Sequence, residues 1–115
     1  MKVRIHDGGV PVDDLLLLHV QRRLDYALSG FTERVRDVVV RLSDDVPPRS
    51  PPLNRCDIDV SLYPRHLRVA DTGTTPFIAV ANASDGLVRA VSRALEREQA
   101  WPTGFLPSPP RNKRR

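Results

Sequence analysis

Polar and apolar positions alternate from Lys2 to His6, with Val3 and Ile5 on one side and Lys2, Arg4 and His6 on the other. That period of two predicts a short, half-buried strand. Asp7-Gly8-Gly9 carries turn chemistry. Asp13 is then a candidate N-cap, with Asp14 adding favourable charge to a first helical turn. Leu17, Val20, Leu24, Ala27, Leu28 and Phe31 follow at helical spacing, with Arg22, Arg23 and Asp25 on the opposite face. Gly30 supplies the flexible stop that a helix C-terminus favours.

The period returns to two over 35–43, where Val38, Val40 and Leu42 face one way and Asp37, Val39 and Arg41 the other. Residues 44–54 hold Pro47, Pro48, Pro51 and Pro52, which exclude a helix and predict an extended, partly mobile excursion. The cleanest alternation follows at 56–63. Cys56, Ile58, Val60 and Leu62 point inward there, and Asp57, Asp59, Ser61 and Tyr63 outward. Leu67 and Val69 could extend that hairpin, and Asp71-Thr72-Gly73 signals a turn. The apolar run at 76–81 is then expected to be the fourth strand. A last helix begins after Asn82 or Ser84, with Leu87, Val91, Ala94 and Leu95 as its apolar stripe. Arg89, Arg93 and Arg97 recur at steps of four on its other side.

This order predicts an α+β fold, β-α-β-β-β-α, with a four-stranded mixed sheet and both helices packed on one face. A helix in the first crossover lets the first two strands run parallel, and the later connections suit antiparallel neighbours. Residues 1–100 are expected to form this domain. Residues 101–115, with Trp101, Phe105 and a run of prolines, read as a flexible, basic tail.

The chain has 115 residues and a net charge of +4. Arg111, Lys113, Arg114 and Arg115 account for all of that excess, so the remainder is formally neutral. A nucleic-acid argument must therefore rest on where the charges sit. Asp57 and Asp59 are expected to make the open sheet face acidic. His6, His19 and His66 are scattered without metal-ligand spacing, and no metal or cofactor is expected. No nucleophile elbow or phosphate-cradling glycine loop is present, so the reading is non-enzymatic. Cys56, alone and on an inward strand position, reads as a small core hydrophobe in a reducing compartment. No apolar run is long enough to span a bilayer, and the N-terminus has no signal-like segment, so a cytoplasmic protein is expected.

One stretch says more. Ala27-Leu28-Ser29-Gly30-Phe31-Thr32-Glu33-Arg34-Val35 runs on into a Val-rich strand, and Asn54-Arg55-Cys56 opens the next. This sequence resembles the ribosome hibernation-promoting factor family, also called ribosome-associated inhibitor A. The match is best over 24–56 and extends over roughly 1–99. The resemblance implies a fold like a double-stranded-RNA-binding domain with an added first strand. It also implies binding to the small ribosomal subunit and its rRNA, with translation repressed under stress by occupancy rather than by chemistry. The rRNA contacts it implies are Arg22 and Arg23 on the first helix and Arg89, Arg93 and Arg97 on the second, with Arg93 nearest to a basic position of the family's last helix. Arg111, Lys113, Arg114 and Arg115 are candidate accessory phosphate contacts.

The plainer reading of the same arginines is a solvated face, with Arg89 four residues after Asp85 and Arg93 three before Glu96. It corresponds to an interaction or regulatory module that kept the fold without the ribosome. Such a module would bind a protein partner through the sheet face or the segment 101–115.

Overall fold

The structure, a computed structural model, describes residues 2–44 and 52–99. The elements are β1 (Lys2–His6), α1 (Asp14–Ala27), β2 (Val35–Asp44), β3 (Asn54–Leu62), β4 (Arg65–Gly73) and α2 (Pro76–Gln99). The strands form one sheet in the order β1-β2-β3-β4. β1 is parallel to β2, and the other two pairs are antiparallel. This is the expected mixed α+β architecture. The excursion expected within 44–54 falls largely outside the described residues, as does the tail.

Period-two patterning does what the sequence asked of it. Val38, Val40, Leu42, Cys56, Ile58, Val60 and Leu62 are buried and form one cluster with residues of both helices. α1 contributes Leu16, Val20, Leu24 and Ala27 to that cluster. Leu17, expected on the buried stripe, stays 37% exposed, and its neighbour Leu16 takes the inward position. The Asp13 carboxylate accepts the Leu16 amide at 2.8 Å, so Asp13 is the N-cap of α1. Gly30, at φ 86°, reverses the chain after the helix.

The expected fourth strand at 76–81 is a correction. The strand is β4, one segment earlier, and 76–81 are the first turns of α2. Thr75 Oγ1 accepts the Ile78 amide at 3.1 Å, and Pro76 occupies the first helical position, where its missing N–H costs nothing. Asn82, an expected cap, lies inside α2 and donates its amide to the Thr72 carbonyl at 2.9 Å. Gly73 lets the end of β4 pass under the start of α2, since a Cβ there would lie 2.6 Å from the Ala79 nitrogen. Among the described residues no helix is long and apolar enough to cross a membrane.

Candidate nucleic-acid interface

The two helices pack side by side, and the seam between them is polar at its rim. Arg23 reaches across from α1 and donates to Ser84 Oγ at 3.0 Å, the Ala81 carbonyl at 3.2 Å and an Asp85 carboxylate oxygen at 3.2 Å. Ser84, itself buried, donates to the Ala81 carbonyl at 2.9 Å. One turn earlier on α1, the His19 ring sits 5.3 Å from the Phe77 ring, and its Nε2 is 3.1 Å from the Phe77 carbonyl. A carbonyl can only accept, so that nitrogen carries the proton in this pairing.

A second arginine cluster closes the C-terminal end of α2. Arg34 donates through both terminal nitrogens to the two Glu98 oxygens, at 3.1 and 2.7 Å, and through Nε to the Tyr63 carbonyl at 3.0 Å. Arg65 of β4 donates to the same carboxylate at 3.2 Å. This bidentate geometry is one that arginine provides and lysine does not. The Arg34 hydrogen bonds, with help from Arg65, hold the Glu98 carboxyl below its usual range against the opposing effect of burial. Glu33-Arg34-Val35, part of the motif that carried the family resemblance, therefore locks the turn to both the hairpin and the last helix.

The candidate contacts separate into two groups. Arg23 is engaged by α2. Arg22 is exposed on the outer surface of α1. On α2, Phe77, Ala81, Ser84 and Asp85 define the flank facing α1. Arg89, Arg93 and Arg97 lie on the other flank, toward β4, and all three are exposed. The neighbouring Gly86 approaches Val69 of β4, and a Cβ at Gly86 would lie 3.7 Å from an Arg89 guanidinium nitrogen. Asp85 pairs with Arg23 rather than with Arg89. Among the described residues Arg22, Arg89, Arg93 and Arg97 form no ion pair, so the solvated pairings with Asp85 and Glu96 are not made. Arg111, Lys113, Arg114 and Arg115 lie outside the described residues, as do Trp101 and Phe105.

The open face of the sheet also departs from expectation. Strand register places Lys2, Arg4 and His6 of β1 beside Asp37, Val39 and Arg41 of β2. Asp57, Asp59 and Ser61 of β3 follow, then His66, Arg68 and Ala70 of β4. The face is not acidic. Asp59 accepts from Arg68 and, at 3.2 Å, from Arg41, with His66 Nε2 3.5 Å away. Asp57 accepts from Arg55 at 3.0 Å, and Arg4 lies 4.0 Å from Asp37. Burial alone would raise the Asp59 carboxyl, but the hydrogen bond and charge of Arg68, then those of His66, bring it below its ordinary value. Lys2, Arg4, Arg41, Arg55 and Arg68 outnumber Asp37, Asp57 and Asp59. The misplaced fourth strand hid Arg68 from the sequence reading, because it assigned no face to 66–75.

Cys56 is fully buried, and burial, with the charge of Asp57, pushes its thiol up to about 12. It is a core side chain, not a nucleophile. Among the described residues no group of three or more His, Cys, Asp or Glu side chains is placed to hold a metal ion.

The fold now has a class. The ribosomal subunit interface protein of Coxiella burnetii superposes with a TM-score of 0.64 at 13% identity, covering 87% of this chain and 99% of that one. The N-terminal domain of Thermus thermophilus Protein Y superposes with a TM-score of 0.67 at 20% identity, covering 82% of this chain and 99% of that one. Both are of the hibernation-promoting factor family, so the fold implied by the resemblance of 24–56 is the fold the chain has. No family model matches the chain, and no curated protein matches it by sequence.

Proposed function

We propose that this domain is a cytoplasmic, ribosome-associated factor that binds rRNA of the small subunit and represses translation under stress by occupying its site. The observation that carries this reading is the fold shared, over nearly their full length, with two proteins of the hibernation-promoting factor family. The arginines on the helix layer support it. Arg22, Arg89, Arg93 and Arg97 are exposed, and none is in an ion pair among the described residues. Arginine donors in that state can replace condensed counterions on phosphates. Recognition is by backbone and shape, since A-form RNA keeps its base edges in a deep groove. Arg23 acts differently, holding α1 against α2 and so fixing the spacing between Arg22 and the stripe on α2. Arg111, Lys113, Arg114 and Arg115 would add sequence-independent phosphate affinity.

Sedimentation with purified small subunits at moderate salt tests the proposal. The protein is expected in the pellet, and replacement of Arg22, Arg89, Arg93 and Arg97 by alanine is expected to return it to the supernatant. Wild-type protein that stays in the supernatant would overturn the reading.

A further inference from the structure

The helix layer leaves one side of the sheet uncovered, and its chemistry is unlike that of a merely solvated face. Positive side chains are spread over all four strands: Lys2 and Arg4 on β1, Arg41 on β2, Arg55 on β3 and Arg68 on β4. The three aspartates sit between them and are covered or neutralised. The Asp59 side chain is only 13% exposed, while its partners Arg68 and Arg41 are 74% and 55% exposed. A carboxylate engages only some of a guanidinium's five donors. These pairs thus fix the positions of the arginines while leaving donors facing outward.

The face and the turn at its edge offer surfaces for stacking. Tyr63, in the turn between β3 and β4, is 63% exposed, with the Arg36 guanidinium 5.1 Å above its ring. His66, 55% exposed, has its Nδ1 3.4 Å from Ser61 Oγ. Unpaired bases stack on aromatic, histidine and guanidinium planes, and open sheets with flanking cations are a recurrent platform for single strands. An acidic protein segment would use the cations but gain nothing particular from a row of planar groups.

We propose that the open sheet face is a second polyanion site, one that takes a single-stranded RNA segment. Cations at Lys2, Arg4, Arg41 and Arg68 track its phosphates, and the Tyr63–Arg36 pair and His66 stack its bases. The site is separate from the helix-borne contacts and does not depend on the ribosomal reading. Together the two faces would let one domain bridge two stretches of RNA.

Binding of a fluorescent twelve-residue oligouridine to the full chain tests this, with a poly-glutamate peptide of equal length as competitor. Replacing Lys2, Arg4, Arg41 and Arg68 by alanine is expected to weaken binding at least tenfold at 100 mM salt. It should also flatten the log–log salt dependence by about three units. Tyr63→Ala is expected to weaken binding by at least about fivefold through lost stacking. Asp37→Asn with Asp57→Asn, which removes repulsion from the face, is expected to tighten binding, a gain that misfolding cannot produce. Alanine at Arg22, Arg89, Arg93 and Arg97 is expected to weaken oligouridine binding less than the sheet-face substitutions do, which keeps this test distinct from the sedimentation test. The proposal fails if the sheet variants bind as the wild type does, or if the aspartate variants bind no more tightly. It also fails if the helix variants abolish binding, or if poly-glutamate competes as well as unlabelled RNA.

Discussion

The two flanks of α2 are built from the same residue type and behave in opposite ways. On the flank facing α1 and at its C-terminal end, arginines from other elements find acceptors on the helix. Arg23 bonds Ala81, Ser84 and Asp85, and Arg34 and Arg65 converge on Glu98. On the flank facing β4, Arg89, Arg93 and Arg97 belong to the helix itself and form no ion pair among the described residues. An arginine's role here follows from whether the fold brings an acceptor to it. Arginines at the joints between elements hold the architecture, and those on the outer flank stay exposed.

Removing the shared acceptor should separate the flanks most sharply. Glu98→Ala leaves Arg34 and Arg65 facing each other without a carboxylate, at side-chain exposures of 33% and 34%. It is expected to cost about 1.5–3 kcal/mol of stability in denaturant unfolding. An equal loss from the triple variant R89A/R93A/R97A would erase the distinction.

Arg23→Ala is expected to cost less, about 1 kcal/mol, because Ser84 keeps its bond to the Ala81 carbonyl and Asp85 returns to water. Thermal unfolding reads this directly. A variant as stable as wild type would show that the seam is held by packing alone.

The pH profile should distinguish the flanks again. Glu98 is held below its ordinary value of 4.5, so its contribution is complete above that value and is lost as pH falls through the lowered one. Asp59, lowered from 3.8, adds a loss in the same direction, beginning at lower pH. Glu98→Gln should therefore flatten the acid limb of stability against pH. An unchanged limb would mean that the Arg34 cluster does not couple to folding.

The smallest effect on stability belongs to R89A/R93A/R97A, expected within about 0.5 kcal/mol of wild type by denaturant unfolding. The same variant should lower the salt slope of small-subunit binding by about two units. Unchanged binding would return these arginines to the status of a solvated face.

Much of this fold was legible along the chain. The alternations at β1, β2 and β3 and the Asp13 cap are local patterns, and burial followed them. The β4 assignment failed for a local reason as well. Phe77-Ile78-Ala79-Val80 reads as an apolar strand, but Thr75-Pro76 just before it is an N-cap followed by proline at the first helical position, and that start signal prevails. The motif around Arg34 was readable as a family likeness, but its physical purpose was not. Glu98 lies 64 residues away, and no spacing rule connects the two.

By itself, the sequence determined the order of elements, the parity of three strands and the presence of arginines at helical spacing, because each depends on neighbours within a few turns. The tertiary structure alone decided which arginines have acceptors. It also decided that Asp37, Asp57 and Asp59 are outnumbered on their face and that Arg68 joins them there. Charge pairing is set by distance in space, and strand register and helix packing bring together groups that the chain keeps far apart.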